Sequence, residues 1–471
     1  MNHTPEQTTI LNHVVSDAGK GLTLIDSVAG SGKTTMLVSI ANTIPHTNAC
    51  YLAYNKSIAT EASRKFPKST NCVTTHSLAY QATVKPMKLK LGIFNYRNIE
   101  ERLDYTDKVN LVNAIREFCL SKFTTFDDFI ADRQLAVSAP LANKYLAAMQ
   151  SGKIDCTHEF YLKLFHILLA NEELQYDPFD FLMLDEAGDL NEVTLEIFRL
   201  LPAIRKIAVG DPFQNIYTFN HTINCFEVLQ NEGTIFRMSK SFRVADFIAT
   251  RIEKFCQTYL DPKMSFLGIP MTDSTIRSQA YITRTNSALI SKMIELNTAH
   301  KPYGLVRKAT EIFKMPLMLI GLKHKGFITD AAYKHLQSDV DRWYETTSLQ
   351  REYKTVLRYI AKVHEDDFTL QQAVRLIGMH GVPAIMQAYK EARNHERSDQ
   401  SYILTTAHSC KGLEFDEVTI ASDLNESISK PLALLKTDPC TMLQPNELES
   451  LNLYYVACTR AAKALNNAQY L

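Results

Sequence analysis

Short apolar runs alternate with stretches of helical periodicity along the first third of the chain. The runs Leu22–Asp26, Cys50–Ala53 and Cys72–Thr74 predict buried strands, and Thr34–Thr43 and Ser57–Phe66 predict the helices between them. Strands that alternate with helices in this way are typical of a parallel sheet with crossover helices. The pattern therefore predicts an α/β domain at the start of the chain.

The strand pattern lapses twice and returns twice. Residues 81–177 look mostly helical, and residues 296–396 form a second helical, charge-rich stretch. Strand-like runs resume at Phe181–Leu184, Lys206–Val209, Ala280–Thr283, Tyr402–Thr405 and Glu417–Ala421. We therefore expect two α/β domains, each interrupted by a helical insertion. The expected boundaries are 1–80 with 176–235 for the first domain, 81–175 for its insertion, 236–295 with 397–471 for the second domain, and 296–396 for its insertion.

Composition narrows the class of protein. Apolar residues make up 45% of the 471 residues and charged residues 22%, which excludes a disordered or collagen-like chain. The 51 basic and 51 acidic residues balance, so any nucleic-acid contact must use a local basic surface. Nine cysteines without a C-x-x-C pair argue against a disulfide framework or a zinc ribbon. Without a signal peptide or a long apolar run, we expect no membrane contact and a cytoplasmic location, or a nuclear one in a eukaryote.

A glycine-rich turn follows the first predicted strand and opens the first predicted helix. Its glycines would let backbone N–H groups wrap phosphates, and the helix N-terminus would face their negative charge. Lys33 would reach the β- and γ-phosphates, and the Thr34 hydroxyl would ligate Mg²⁺. The expected nucleotide contacts are Ala29, Gly30, Ser31, Gly32, Lys33, Thr34 and Thr35.

Acidic residues follow two later strands directly. Asp185 would hold Mg²⁺, and Glu186 is the better candidate for deprotonating the attacking water. Asp211 and Gln214 follow the next strand, and the Gln214 amide can both donate to and accept from a γ-phosphate group. These residue types in this order predict hydrolysis of a nucleoside triphosphate.

The motifs also carry a family resemblance. The segments AGSGKT, YLAYNKSIATEASRKFP, TTHSLAY, LDEAGD, VGDPFQNIYTF, KSFR, TAHSCKGLEFD and YVACTRA occur in this order. Their series resembles the superfamily 1 DNA helicases of the UvrD/Rep type, and the second and third segments look most like the F-box DNA helicase branch. With about 29 residues before Gly30, we expect no F-box in this chain. The resemblance implies two RecA-like P-loop domains that use ATP with Mg²⁺.

The resemblance also implies roles for single residues. Gln7 would contact the adenine edge, Phe242 would stack on adenine and Glu414 would bind the ribose. Arg243 and Arg460 would approach the γ-phosphate. The residues that the resemblance assigns to the DNA strand are Asn55, Thr75, His76, Thr406 and His408.

Apart from the resemblance, aromatic residues near polar or basic ones offer platforms on which bases could stack, namely Tyr54, Tyr80, Tyr217 and Phe219. Core packing is the alternative for each of them except Phe219, which closely follows Gln214.

The general phosphate-loop pattern has a glycine where this chain has Ser27. The chain departs from the family pattern at Gly188, where glutamine is usual, and at Asn220 and Thr35, where arginine is common. These three departures put the coupling of hydrolysis to movement in doubt more than hydrolysis itself.

The segment Ala62–Ile99 contains seven basic residues and no acidic one. In a chain of zero net charge, this asymmetry indicates a surface that faces phosphates, although a solvated basic face is the alternative interpretation. The seven are Arg64, Lys65, Lys68, Lys85, Lys88, Lys90 and Arg97.

The leading hypothesis is an ATP-driven helicase that moves 3′→5′ on single-stranded DNA and unwinds forked duplex DNA. One alternative is a DNA-dependent ATPase that strips proteins from single strands and unwinds weakly. Another is a non-catalytic scaffold with a vestigial nucleotide site. RNA stays open as a substrate, because residues that hold phosphates do not distinguish the sugars. The sequence names no protein partner.

Overall fold

A computed structural model describes residues 3–43, 48–216, 222–322, 333, 336–337, 341, 353–365, 367–396 and 400–471. The chain forms two compact units, Met1–Arg243 and Val244–Leu471. Within the described residues, no helix combines the length and the apolar character needed to cross a membrane.

The first unit is built on a sheet of six parallel strands in the order β3 (Thr70–Thr74), β2 (Ala49–Ala53), β4 (Phe179–Leu184), β6 (Ala203–Gly210), β1 (Gly21–Ser27) and β8 (Thr234–Met238). Strand residues alternate between the two faces of this sheet. Ile25, Tyr51 and Phe181 lie in one core, whereas the adjacent Leu24 and Leu52 lie in the other. Two further strands of the unit are β5 Leu190–Asn191 and β7 Thr222–Ile223. Strand β9, Lys240–Ala245, runs through the boundary between the two ranges.

Helices cover both faces of this sheet. Polar side chains cap several of them; the Asn55 side chain, for example, accepts a hydrogen bond of 2.9 Å from the Ile58 amide. The helices are α1 Pro5–Val15, α2 Lys33–Thr43, α3 Lys56–Lys65, α4 Thr75–Ala79, α5 Lys85–Met87, α6 Tyr105–Leu120, α7 Phe126–Arg133, α8 Ala139–Gln150, α9 His158–Ala170, α10 Glu192–Leu200 and α11 Cys225–Leu229. A π-helical turn, Tyr80–Val84, joins α4 to α5.

A lysine is buried in the helical layer formed by α6–α9. The Lys163 ammonium donates to the carbonyl oxygens of Ser121 at 2.6 Å and Phe123 at 2.8 Å. It also lies 4.8 Å from the centre of the Phe118 ring. Burial lowers the pKa of Lys163 to about 8. This ammonium ties α9 to the segment that follows α6.

The second unit contains a parallel sheet of five strands in the order β12-β13-β11-β14-β15. Its strands, preceded by β10 Leu267–Ile269, are β11 Gln279–Thr283, β12 Gly304–Leu305, β13 Tyr402–Thr406, β14 Phe415–Ile420 and β15 Ala461–Asn466. Its described helices are α12 Asp246–Tyr259, α13 Asn286–Thr298, α14 Ala309–Ile312, α15 Lys314–Leu322, α16 Tyr353–Val363, α17 Phe368–Ala392, α18 Ser422–Thr437 and α19 Pro445–Cys458. Helix α17 is kinked at Gly381, two residues before Pro383, which cannot continue a regular hydrogen-bond ladder.

The predicted fold class is confirmed: both units are α/β with parallel sheets, and mainly helical segments interrupt their strand series. The four domain boundaries given from the sequence stay predictions.

Candidate functional site

The glycine-rich turn closes between β1 and α2, as the sequence predicts. Gly30 and Gly32 have φ angles of 76° and 81°, in the left-handed region that favours glycine. A Cβ on Gly30 would lie 2.7 Å from both the Arg243 Cβ and the Ser241 Oγ. The loop therefore packs directly against β9, which carries the KSFR motif, and Gly30 has no room for a side chain.

Two residues predicted to contact adenine flank this loop. The Gln7 side chain, 6% exposed, donates to the Ser31 carbonyl oxygen at 3.4 Å and accepts from the Thr4 amide at 3.0 Å. The Phe242 amide donates to the Gly30 carbonyl oxygen at 2.8 Å, while its ring is 47% exposed. The buried Ser31 Oγ has no hydrogen-bond partner among the described residues. A buried donor without a partner and a loop held open by glycines fit the phosphate group that the motif implies.

Asp185 lies at the end of β4 and is almost fully buried. Its Oδ2 accepts hydrogen bonds from the Thr34 hydroxyl at 3.0 Å and the Tyr51 hydroxyl at 2.7 Å. Burial raises the pKa of Asp185, and the neighbouring Glu186 charge raises it further. Carboxylate and hydroxyl oxygens are ligands that Mg²⁺ prefers, so the two predicted metal ligands fit a magnesium ion. Tyr51 was not expected here, because the sequence shows it only as part of a buried strand.

Glu186 and Lys33 face each other beside this carboxylate. The Lys33 Nζ lies 3.8 Å from the Glu186 Oε1, and the Glu186 side chain keeps partial access to solvent. The Glu186 backbone adopts a φ of 54°, and its amide donates to the Asp185 Oδ1 at 2.9 Å. The predicted general base and the predicted phosphate-binding lysine are thus neighbours at the carboxyl ends of the strands.

Two departures, Gly188 from the family pattern and Ser27 from the general phosphate-loop pattern, have a steric or hydrogen-bonding reason. A Cβ on Gly188 would lie only 2.6 Å from the Asp211 carbonyl oxygen, so the glutamine usual at this position does not fit without a backbone shift. The Ser27 hydroxyl donates to the Gly210 carbonyl oxygen at 2.7 Å and so joins the ends of β1 and β6. Asp211 in turn accepts from the Gln214 side chain at 2.8 Å, which fixes the position of that amide.

A cavity of about 390 Å³ lies next to the acidic residues, within the first unit. It brings Asp185 together with Thr75 and His76, two residues predicted to contact the strand. Arg116 and Glu159, from the helical layer, line the same cavity. The predicted nucleotide site and part of the predicted strand site are therefore adjacent. Asn55, which caps α3, is exposed and does not line the cavity.

The remaining predicted residues lie in the second unit or outside the described residues. Arg460 is 2% exposed, and its guanidinium donates to the carbonyl oxygens of Val456 at 3.0 Å and Leu413 at 3.3 Å. Glu414, next to Leu413 in sequence, is exposed. Thr406 ends β13, and the His408 Nε2 lies 3.3 Å from the Glu449 Oε1. Tyr217, Phe219 and Asn220 lie outside the described residues, so the roles given to them stay predictions.

Sequence reasoning missed a groove in the second unit. This groove, of about 770 Å³, combines the cationic Arg284 and Arg375 with the exposed Phe368 and Met379. Arg284 directly follows β11, so its place at the end of a predicted strand was the signal available in the sequence.

Comparison with known families decides the classification. The UvrD-like helicase C-terminal domain matches residues 153–467, and an AAA domain matches residues 11–220. The chain belongs to the UvrD-like helicases. The resemblance of its motifs to this family is thereby confirmed, and the AAA match implies that this helicase-family chain binds a nucleotide.

Two relatives share the branch that the sequence suggests. F-box DNA helicase 1 of Gallus gallus is 24% identical over 521 residues, which cover 99% of this chain and 49% of the relative. F-box DNA helicase protein 1 of Schizosaccharomyces pombe is 24% identical over 503 residues, covering 94% of this chain and 55% of the relative. This UvrD-like chain thus spans about half the length of the curated relatives it matches.

Proposed function

We propose that this chain is a DNA helicase that hydrolyses ATP, moves 3′→5′ along single-stranded DNA and unwinds duplex DNA. The observation that carries the proposal is the pairing at the edge of the first sheet. There the Thr34 hydroxyl contacts the Asp185 carboxylate and Lys33 lies beside Glu186. Family membership and the names of both relatives support the choice of DNA helicase among ATP-hydrolysing proteins.

The residues divide the work of hydrolysis as follows. Lys33 binds the β- and γ-phosphates, and Glu186 accepts a proton from the attacking water. Thr34 and Asp185 hold Mg²⁺, which when bound neutralises charge on the phosphates. Gln214, held by Asp211, contacts the γ-phosphate, as Arg243 also does from its place on β9 beside the phosphate loop. The contact of Arg460 with the γ-phosphate, which the family resemblance implies, stays a prediction.

The cavity beside Asp185 supports a link between the two ligands. Thr75 and His76 would contact the backbone of the strand, and Asp185, which belongs to the nucleotide site, lines the same cavity. A change at the acidic residues on hydrolysis therefore reaches the strand contacts across one cavity.

Forked duplexes test this proposal. The protein should hydrolyse ATP faster with single-stranded DNA and should separate a duplex with a 3′ single-stranded tail, but not the same duplex with a 5′ tail. Stimulated hydrolysis without separation, together with removal of a protein block from the strand, would favour the stripping ATPase. A lack of hydrolysis with DNA and with RNA would favour the scaffold and contradict the proposal.

A further inference from the structure

A buried tyrosine in the first unit is shared by two histidines. Tyr161 on α9 is 4% exposed, and its hydroxyl lies 3.0 Å from the Nδ1 of His76 and 3.2 Å from the Nδ1 of His158. Both histidine rings meet the tyrosine ring edge-on, with centroids 5.5 Å apart. His76 belongs to α4 and His158 to the first turn of α9. The phenol therefore connects a predicted strand contact to the helical layer.

The number of available hydrogens limits how Tyr161, His76 and His158 can hydrogen-bond to one another. The phenol has one hydrogen, so it donates to one imidazole, and the other imidazole must donate its own Nδ1–H to the phenol oxygen. Burial raises the pKa of Tyr161 to about 12, so the phenol keeps its hydrogen at neutral pH. When both histidines are neutral, one must carry its proton on Nε2 and the other on Nδ1.

The surroundings favour a neutral His76. Loss of hydration lowers the pKa of His76, and a charge on His158 lowers it further, whereas Glu159 acts in the opposite direction. Arg116 lies 3.8 Å from Glu159 and partly offsets that carboxylate. The other titratable groups that line the cavity are Tyr54, Asp185 and Asp189. A neutral His76 contacts a phosphate oxygen favourably only when its Nε2 carries the proton.

We propose that Tyr161 and His158 are positioning residues for His76 in the binding of single-stranded DNA. The phenol donates to the Nδ1 of His76 and so directs an Nε2–H toward a backbone phosphate. His158 completes the group by donating its Nδ1–H to the phenol oxygen. This inference rests on the proposed function, since it assumes that His76 contacts the strand.

The first test is spectroscopic. Neutral imidazole in water favours the proton on Nε2, so a histidine in the Nδ1–H form is a distinctive signature. In protein labelled with ¹⁵N-histidine and bound to a thymidine oligonucleotide, His158 should show the Nδ1–H form, assigned by the loss of its signal in His158→Asn. Tyr161→Phe should return His158 to the Nε2–H form. An Nε2–H form of His158 in the wild-type complex would overturn the inference.

The second test is a double-mutant cycle on oligonucleotide affinity at pH 7.5 and fixed salt. Tyr161→Phe should weaken binding about fivefold, since a neutral hydrogen bond contributes about 1 kcal/mol. In a His76→Ala background, the same change should have no further effect. Tyr145→Phe is the matched control, because it removes a tyrosine hydroxyl bonded to Glu101 in the same helical layer and should bind like the wild type.

The outcomes separate the two proposals. A wild-type protein that binds no oligonucleotide contradicts the proposed function itself. A wild-type protein that binds, with equal losses from Tyr161→Phe in the presence and absence of His76, contradicts only the positioning role. If thermal unfolding shows that the Tyr161→Phe variant is not folded, His158→Asn replaces it in the cycle. The same dependence on His76 is then expected.

Discussion

The Glu186 backbone is in the left-handed region, which is uncommon outside glycine and is concentrated at functional sites. The Glu186 side chain lies beside Lys33. We predict that Glu186→Gln keeps ATP binding and lowers hydrolysis by at least about 10²-fold, because the amide accepts no proton from water. Steady-state hydrolysis and nucleotide affinity, measured side by side, check this. The exposed Glu227→Gln is the control, and a wild-type rate in Glu186→Gln would refute the base assignment.

Gly188 is a second residue whose size matters. Its added Cβ would lie 2.6 Å from the Asp211 carbonyl oxygen, which belongs to the turn that carries Gln214. Gly188→Ala should therefore lower the free energy of unfolding by about 1–3 kcal/mol and reduce DNA-stimulated hydrolysis. Gly378→Ala, where nothing lies within 4 Å of the added Cβ, should leave both quantities unchanged or slightly raise stability. A fully active, fully stable Gly188→Gln enzyme would show that the turn shifts freely.

The titration of His76 gives a prediction on pH. Its pKa lies below the ordinary 6.5, so the ring is neutral between pH 7 and 8 and its contribution to strand binding is constant there. Acidification below 6.5 adds a positive charge that faces the phosphates, so oligonucleotide affinity should rise as the pH falls. His76→Ala should remove this part of the rise in titrations at constant ionic strength. A rise of equal size in that variant would assign it to other groups.

At the scale of elements, the central strands and the edge strand β3 were predictable, whereas the edge strands β8 and β15 were not. Cys50–Ala53 and Phe181–Leu184 lie inside β2 and β4, because buried central strands are continuous apolar runs. The sequence did not predict β8 or β15. Strand β8 lies at the sheet edge with mostly exposed side chains, and β15 has an alanine-rich sequence that favours helix in isolation. Neighbouring strands, rather than local preference, decide the conformation of these two segments.

The buried ammonium of Lys163, on α9, donates hydrogen bonds to the carbonyl groups of Ser121 and Phe123 and so helps to hold α9 in place. Lys163→Met keeps the length of the side chain and leaves the Ser121 and Phe123 carbonyls without this donor. We expect the free energy of unfolding to fall by about 1–3 kcal/mol. Denaturant unfolding followed by circular dichroism measures it, with the exposed Lys153→Met as the control. Unchanged stability would mean that water reaches these carbonyls in place of the ammonium.

The whole-molecule charge balance makes the local basic segment important. All seven of its basic side chains are exposed. If this surface binds the strand, affinity should fall with salt because phosphates release counterions, with a logarithmic slope of about 0.7 per neutralised phosphate. Charge reversal of Lys85, Lys88 and Lys90 together should flatten the slope by up to about 2. Reversal of Lys254, Lys301 and Lys308 in the second unit serves as the control, and equal slopes would place the binding surface elsewhere.

The sequence indicated the site through motifs whose residues are close along the chain. Lys33, Thr34, Asp185 and Glu186 could be named because each follows a predicted strand, and strands of a parallel sheet end at one edge. Tyr51 and Tyr161 could not, because their hydroxyls become partners of Asp185 and His76 only after distant segments pack. The same holds for the lack of space at Gly188.

The strand order of the first sheet also has a consequence for synthesis on the ribosome. Strand β1 ends at Ser27, yet its two neighbours in the sheet begin at Ala203 and Thr234. At about 5–20 residues per second, the chain between Ser27 and Ala203 takes roughly 9–35 seconds to emerge. Throughout that interval, the strand that leads into the phosphate loop has no partner strand to pair with. A nascent chain stalled before Ala203 should therefore stay sensitive to protease around Leu24 and Ile25, and should be a substrate for chaperones that hold apolar segments.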